Sequence, residues 1–542
     1  MQEENLSHQK WVIGPSPLID DVLQRLHFTE ILSGFVRNER YVKALKVVVR
    51  SILMAPAALY RIPEWHLLFE PKEFPLLKLD DDVIGRALDA LFACDRATLQ
   101  TQLTVSTIKE FNVDTNAIHN DSTSIKLHGS YHTQSSRAIK LKRGHSKDHR
   151  PDLKQLVYNL SVTEDGAIPV HFTCFDGNRT DDTIHIETWF TLRGVLGRSD
   201  FLYVADSKLC TSENMSKIDK EGGKFVTIVP DSRRETAEFA KLCFDSEIRW
   251  GPLTRRKVSG KKNTVDSFDI AEGCFQLREG FKIFWYRSSE KRRRDAESRK
   301  ERIDKAIEKL SQLSTEGRRG PKSKKALLQR AKDILQRYSV AGLIDVEVQV
   351  ETIEVFKKLT RGKPTEDSNY KRIVKEQPFL VFQKNTEAIS QSETLDGIIP
   401  LTTNTTLSPK QALSAYKYQP YLERRFSCMK SDYEIAPVFL KRNDRIEALM
   451  FACYVADLVA AIIQRQLRNA MKANDIQRLQ ILPEERPSET PTWEQVQRLF
   501  ANHAKYQLSS DNQLVKTFWD PLTKHQQQVL TLLEIPLSEY SG

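Results

Sequence analysis

Apolar residues recur at helical spacing through the first fifth of the chain. The segments 18–26 and 41–53 each carry one apolar stripe that a helix would turn toward a core. A further helix is predicted after the acidic run 80–82, because carboxylates in the first turn cap free N–H groups and oppose the helix dipole. We therefore predict a helical amino-terminal domain over residues 1–112.

Strand-like runs of β-branched and aromatic residues replace this pattern after residue 112. The first run surrounds Asp121, and the four later runs are 155–162, 168–174, 201–205 and 224–229. A helical pattern precedes each of the last two runs. An Asp-Gly pair at 165–166 predicts a hairpin between the second and third runs. Three strands, a helix, a strand, a helix and a strand match the order of a ribonuclease-H-like core. We therefore predict an α/β fold whose first part spans residues 113–232.

A long mixed α+β insertion is predicted over residues 233–405. Strand-like runs at 281–287 and 344–350 stand among charged helical stretches, and residues 290–337 fit a pair of helices. Acidic residues are interleaved with the basic ones from 291 to 310, so a solvated helix laced with salt bridges explains that stretch equally well. The run 318–325 has fewer acids and a loop composition, which makes it the better candidate for phosphate contacts. Its basic residues are Arg318, Arg319, Lys322, Lys324 and Lys325.

Helical patterns return after residue 405. Ser408 and Pro409 form a helix start, and Pro420 predicts a kink or a second start just before Glu423. Residues 445–467 form a strongly apolar helix that is typical of a core. We assign residues 406–480 to the last part of the α/β core and residues 481–542 to a tail with two short helices.

The net charge and the cysteine content of the chain exclude some classes of protein and favour others. The chain has 82 basic and 72 acidic residues, a net charge of +10, which favours an acidic polymer as partner. Its seven cysteines are odd in number and widely spread, which argues against a disulfide framework and against a structural zinc site. The polar amino terminus does not fit a signal peptide, and no run of 18 apolar residues predicts a membrane span. We therefore expect a cytoplasmic protein without a membrane partner.

Three acidic residues stand in contexts that suggest a shared site. Asp121 lies in the middle of its strand, and Asp206 ends a buried strand, which is where open α/β sheets place ligands. Glu423 lies in the helical segment 416–426. Taken singly, an aspartate that closes a strand is more often a turn former or a helix cap, so only the set carries a functional hypothesis.

The set resembles the bacterial insertion-sequence DDE transposases, in the group whose last carboxylate lies in the signature Tyr-x2-Arg-x3-Glu-x6-Lys. Tyr416, Glu423 and Lys430 match that signature, and Gln419 stands where the family has arginine. Three further blocks resemble the family in the same order, and the resemblance covers roughly residues 20 to 470. These blocks are 144–155, 175–181 and 204–209.

The resemblance implies metal-dependent cleavage at the terminal inverted repeats of a mobile element, followed by strand transfer into target DNA. Asp121, Asp206 and Glu423 would together hold two Mg²⁺ ions, for which Mn²⁺ substitutes, because in-line displacement at phosphorus needs counter-charge on the attacking and the leaving oxygen. Tyr416 and Lys430 would contact DNA. Gln419 removes the phosphate contact of the family arginine, and Arg424 or Arg425 is the candidate to replace it.

The family also implies how the protein assembles. A helical amino-terminal region would grip the element ends or support a homodimer in a synaptic complex on DNA, in the nucleoid of a bacterial cell. Release of the second strand through a DNA hairpin is an open route. Two alternatives are compatible with the same residues: a ribonuclease-H-like nuclease without strand transfer, and an inactive DNA-binding derivative that acts as a regulator.

Overall fold

One long apolar helix and one mixed sheet organise the larger of the two units into which the chain divides in this computed structural model. Unit 1 comprises Met1–Thr227, Thr403–Leu407 and Gln411–Gly542, and unit 2 comprises Ile228–Thr402 and Ser408–Lys410. The structure describes residues 6–55, 58–70, 79–129, 131, 135–144, 150–179, 183–257, 264–315, 323–359, 361–366, 368–432, 440–511 and 513–541.

Helices dominate both ends of the chain, and strands cluster in its middle. The elements before residue 230 are β1 (Leu6–Val12), α1 (Ser16–Arg25), α2 (Phe28–Phe35), α3 (Glu39–Met54), α4 (Ile62–His66), α5 (Asp81–Ala93), α6 (Arg96–Glu110), β2 (Ala117–Leu127), β3 (Lys154–Thr163), β4 (Pro169–Phe175), α7 (Ile184–Leu196), β5 (Leu202–Ala205), α8 (Ser212–Lys220) and β6 (Lys224–Ile228). Those between residues 230 and 404 are α9 (Arg234–Phe244), β7 (Trp250–Lys257), β8 (Val265–Ala271), β9 (Phe275–Gln276), β10 (Lys282–Ser288), α10 (Ser289–Thr315), α11 (Lys324–Arg337), β11 (Ile344–Lys358), β12 (Tyr370–Lys384), α12 (Thr386–Thr394) and β13 (Ile398–Thr403). The remaining elements are α13 (Pro409–Tyr416), α14 (Gln419–Ser427), α15 (Asn443–Ala473), β14 (Leu479–Gln480), β15 (Pro487–Ser488), α16 (Trp493–Phe500), β16 (Ala504–Ser510), β17 (Gln513–Trp519), α17 (Lys524–Leu532) and α18 (Ser538–Ser541).

Helix α15 forms the centre of unit 1. It is long and apolar enough to cross a membrane, but 94% of its apolar window is buried inside the protein, which confirms the prediction of a core helix. It packs against α1, α3 and α5 from the amino-terminal region and against α16 and α17 from the tail. The predicted cap at Asp80 is also confirmed, since its carboxylate accepts the N–H of Val83 at 2.7 Å. The segments 1–112 and 481–542, and the segment 406–480 apart from Ser408–Lys410, belong to unit 1.

A small sheet joins the two ends of the chain, and local patterns gave no sign of it. Strand β1 pairs antiparallel with β16, from Leu6 opposite Ser510 to Val12 opposite Ala504, and β16 pairs with β17. The described part of the tail thus contains the strands β15, β16 and β17 and the short helix α18 in addition to its two predicted helices. The pairing spans almost the whole sequence, so it depends on the tertiary fold and not on local sequence.

The main sheet of unit 1 has the strand order β4-β3-β2-β5-β6. Strands β2, β3 and β4 pair antiparallel, and the predicted hairpin between β3 and β4 is present. Strands β2, β5 and β6 pair parallel, with α7 and α8 as the connections. Nearly every residue of β2 and β3 is buried, because helices cover both faces of the sheet.

Unit 2 contains a second group of strands and a helical hairpin. Its strands follow the order β13-β10-β8-β7, and β9 pairs with β10. The carboxylate of Asp266 caps the start of α10, because it accepts hydrogen bonds from the hydroxyl of Ser288 and from the N–H of Glu290. Arg299 of α10 forms a bidentate, buried ion pair with Asp396 at 2.6 and 2.7 Å.

The predicted helical pair of the insertion is present as α10 and α11, and it packs on the base of a long β-ribbon. Strands β11 and β12 pair antiparallel over fifteen residues each. One apolar cluster joins the three parts, and its buried members are Ile303, Ala306, Leu310, Leu313, Leu327, Ala331, Leu335, Val340, Ile344, Val348 and Leu380. The strand predicted at 344–350 is therefore correct in place but only half of its actual length.

Candidate functional site

Asp121 lies on β2, and Asp206 directly follows β5, the parallel neighbour of β2. The paired residues run from Ala117 opposite Leu202 to His119 opposite Val204, so each aspartate lies two residues beyond the last pair. Asp121 is half-buried, and the Asp206 side chain is 37% exposed directly after β5 ends. The sheet therefore presents two carboxylates at one partly open position.

Helix α14 carries Glu423 over this part of the sheet. Pro420 lies in its first turn, as the sequence predicts, and the helix packs on β2 and β3 through its buried residues Leu422 and Phe426. Glu423, next to Leu422 in the helix, is exposed. Burial of one face thus fixes the position of the helix and leaves the carboxylate accessible.

All three carboxylates act on the side chain of Tyr416. Burial, followed by the negative charges of Asp206, Glu423 and Asp121 in that order, raises the pKa of its hydroxyl to about 12. Burial likewise raises the pKa of Tyr203 well above its usual value, with Asp206 and Asp121 contributing. Because electrostatic influence weakens with distance and screening, all three carboxylates lie near enough to the Tyr416 hydroxyl to affect its pKa.

Asp206 is held by groups that the sequence did not single out. The Nε2 atom of buried His185 lies 3.1 Å from its Oδ1 atom, and the Nδ1 atom lies 3.3 Å from the hydroxyl of Tyr203. The N–H of Lys208 donates to the same carboxylate oxygen, and the hydroxyl of Thr227 donates to the Asp206 carbonyl. His185 comes from α7, twenty-one residues earlier, so no local pattern could reveal the contact.

Gln419 faces inward instead of toward the open side. Burial lowers the pKa of His119 to about 4, and the nearby Gln419 amide slightly favours the charged ring. Within the described ranges, neither side chain has a hydrogen bond of good geometry. The His119 ring also stacks near Tyr418, with 4.8 Å between centroids. The residue at the signature arginine position therefore contacts the core beside β2.

The two arginines after Glu423 have different surroundings. Arg424 is exposed, whereas Arg425 is buried and its guanidinium donates to the carbonyls of Gly166 and Ala167. The expectation that Arg425 could replace the family arginine is therefore wrong, because its donors are used inside the fold. Lys430 lies half-buried in a π-helical turn, Cys428–Asp432, that directly continues α14.

The basic run 318–325 lies only partly within the described residues. Arg318, Arg319 and Lys322 are outside them. Lys324 and Lys325 are exposed in the first turn of α11, whose cap is Ser323, so this part of the run is helical and not a loop. Both lysines belong to unit 2.

The donor set suits a hard divalent cation. In the part of the chain that the structure describes, no three or more His, Cys, Asp or Glu side chains meet closely enough to hold one metal ion. Magnesium needs less, since it binds through one or two carboxylates and keeps several waters. Asp121, Asp206 and Glu423 carry only oxygen donors, the kind that magnesium and manganese prefer, but this structure does not hold the three close enough to bind one ion together.

Two of the other resemblance blocks pack against each other beside the sheet. The Gln155 side chain donates to the carbonyl of Gly177 at 2.8 Å, and Gln155 pairs with Lys142 through backbone hydrogen bonds. A Cβ atom on Gly177 would lie 2.0 Å from the Gln155 carbonyl oxygen. Glycine is therefore required at this close approach of two backbones.

No protein-family model matches the chain, and no curated protein sequence matches it. Among solved structures, one similar chain is that of a piggyBac transposase synaptic complex with hairpin DNA. The two share 9% sequence identity and a TM-score of 0.38, over 91% of this chain and 82% of that chain. Similarity this low carries no inference about activity, so the chemistry has to follow from the residues themselves.

Proposed function

We propose that this protein is a DNA transposase of the DDE type, which cuts DNA at the ends of a mobile element and joins those ends to target DNA. The observation that carries the proposal is the surroundings of Tyr416, where Asp121, Asp206 and Glu423 all act on one hydroxyl. These acids come from segments 85 and 217 residues apart. The strand order of unit 1 supports the proposal, since it is the order expected of a ribonuclease-H-like core.

The three carboxylates have distinct parts in this chemistry. Two magnesium ions held among them would supply counter-charge to the attacking and the leaving oxygen at a scissile phosphate. Asp121 from β2, Asp206 from the end of β5 and Glu423 from α14 would be the residues that hold these ions. His185 and the N–H of Lys208 orient Asp206, and exposed Glu423 leaves room for a DNA strand.

Groups around the acids would bind the DNA strand. The Tyr416 hydroxyl is neutral at pH 7, as any tyrosine is, and its raised pKa moves ionisation further from that pH, so the hydroxyl can donate a hydrogen bond to a phosphate oxygen. Arg424 and Lys430 flank Glu423 and supply positive charge in place of the family arginine. We further propose that Lys324, Lys325 and their neighbours contact phosphates, and that a homodimer brings two element ends together on DNA in the cytoplasm.

A cutting assay tests the proposal directly. Purified protein is incubated with linear DNA that carries the inverted repeats bordering its coding sequence, with magnesium, with manganese or with chelator. We expect metal-dependent cuts at the repeat ends by the wild type and none by Glu423→Gln. The mutant should still bind the DNA, because phosphate contacts supply most of the affinity. Glu110→Gln, an exposed residue of α6, is the matched control and should cut normally.

One observation favours a second candidate, a DNA-binding regulator that does not cut. Gln419 is turned toward His119, so the signature arginine contact is missing from the open side. Binding of the repeats without cutting in either metal would establish this candidate and refute the transposase. Cutting without joining to added target DNA would instead identify a nuclease.

A further inference from the structure

The far half of the β11–β12 ribbon extends beyond the helices that support its base. Ile344, Val348 and Leu380 at the base are buried against α10 and α11. A fifteen-residue strand is about 50 Å long, so the part beyond residue 350 is about half of that length. We call residues 350–358 and 370–378 the ribbon arm.

One face of the ribbon arm carries exposed large apolar residues among charged ones, which include Glu354, Lys358, Arg372 and Glu376. Antiparallel pairing places Val350, Phe356, Tyr370 and Val374 on the same face as the buried base residues. Their side chains are between 47% and 61% exposed. Large apolar residues concentrated on an isolated two-stranded ribbon mark an interaction surface, because such a ribbon buries little by itself.

The end of the arm is strongly basic. Residues 355–375 contain seven basic and two acidic residues, a net charge of +5 in a chain of +10. Lys357 and Lys371 lie directly opposite each other, an arrangement that costs stability unless an anion lies between them. Aromatic and cationic residues also alternate across the strands, since Phe356 pairs with Arg372 and Tyr370 with Lys358.

Hydrogen bonds connect several described residues at the end of the arm. The N–H of Leu359 donates to the Asn369 carbonyl at 3.0 Å, and the N–H of Thr365 donates to the Ser368 hydroxyl at 2.8 Å. The ammonium of Lys358 donates to the Gly362 carbonyl. A preformed element loses less conformational entropy when it binds, which favours affinity.

We propose that the ribbon arm binds duplex DNA by entering its major groove. The proposal rests on the transposase function, to which it adds a DNA contact made by unit 2. Positive charge complements the phosphates, and a groove about 12 Å wide admits a two-stranded ribbon. Phe356 and Tyr370 lie against base edges on one face of the ribbon, and Lys357 and Lys371, on the other face, reach the phosphates at the rims of the groove.

The affinity of the protein for a 30-base-pair duplex of random sequence, measured at several salt concentrations, tests whether the ribbon arm binds DNA. Each phosphate contact contributes about −0.9 to the slope of log Kobs against log salt. Lys357→Glu with Lys371→Glu should reduce that slope by about 2 and weaken binding about tenfold. Phe356→Ser with Tyr370→Ser should weaken binding and leave the slope unchanged, because apolar contacts release no counterions. Lys309→Glu with Lys332→Glu, exposed on α10 and α11, makes the same charge change and should bind like the wild type.

Three results would overturn the proposal that the ribbon arm binds DNA. In the first, the arm variants bind with the affinity and slope of the control variant. In the second, sedimentation shows that they lose a dimer while DNA affinity is unchanged, so that the arm covers a second copy of the chain. In the third, their thermal unfolding differs from that of the wild type, so that the arm residues are structural. Failure of the transposase proposal is distinct: the wild type would not cut, while the arm variants would still lose affinity.

Discussion

Arg424 and Arg425 are adjacent in sequence but should give opposite phenotypes when each is replaced by alanine. Arg425 is 5% exposed, and its Nη1 atom lies 3.3 Å from the buried carboxylate of Asp457. Its Nη2 atom donates to Gln464 at 3.1 Å, and its Nε atom donates to the Ala167 carbonyl at 3.1 Å. These contacts tie α14 to α15 and to the turn between β3 and β4.

Removing one partner of a buried ion pair costs about 3–5 kcal/mol, because the other charge stays in a low-dielectric interior. Arg425→Ala should therefore lower the free energy of unfolding by about that amount. Arg424→Ala should change it by less than about 0.5 kcal/mol, since the side chain is exposed. It should instead reduce the salt slope of DNA binding by about 0.9, the contribution of one phosphate contact.

Urea unfolding followed by circular dichroism measures the first effect, and duplex binding at several salt concentrations measures the second. Arg425→Met combined with Asp457→Asn is the control, because it removes both charges and should recover part of the loss. Equal unfolding midpoints for Arg424→Ala and Arg425→Ala would refute the structural role of Arg425.

Three further predictions test the site and its supports. His185→Gln should raise the magnesium concentration for half-maximal cutting about 10–100-fold without changing DNA affinity, because it disturbs a residue that orients a proposed metal ligand; an unchanged metal requirement would exclude this role. Burial lowers the pKa of His171 to about 4, whereas an unfolded histidine titrates near 6.5. The unfolded chain thus takes up that proton first, so stability should be full above pH 6.5 and fall by about 1.4 kcal/mol per pH unit toward pH 4; His171→Gln should remove this part of the slope in urea unfolding. Gly177→Ala should lower the melting temperature because its Cβ would overlap a backbone oxygen, whereas Gly194→Ala in α7 meets nothing within 4 Å and should stabilise by about 0.5–1 kcal/mol; equal melting temperatures would contradict the overlap.

Short-range patterns were enough to predict many elements of the fold. The cap at Asp80, the hairpin around 165–166, the helix start at Pro420 and the apolar helix at 445–467 all depend on residues a few positions apart. Hydrophobic period and turn chemistry act over the same distances, so the sequence predicts such features directly.

The contacts that complete the site lie beyond that range. His185 reaches Asp206 from another element, and Gln419 turns toward His119 on β2. Arg425 was a candidate for DNA contact until the fold showed its partners on α15. Residue type alone cannot separate a surface arginine from a buried one, because both are basic residues at neighbouring positions of one helix.

The sequence by itself determined which residues carry charge and where most strands and helices form, and its resemblance to a known family singled out Asp121, Asp206 and Glu423 as candidates. Only the tertiary structure decided that β2 and β5, which position the first two, pair parallel, that α14 leaves the third exposed, and that the chain ends pair as β1 and β16. The physical reason is the distance along the chain over which each kind of interaction acts. Backbone preferences and periodicity act between near neighbours in the chain, whereas strand register and packing join segments that are hundreds of residues apart.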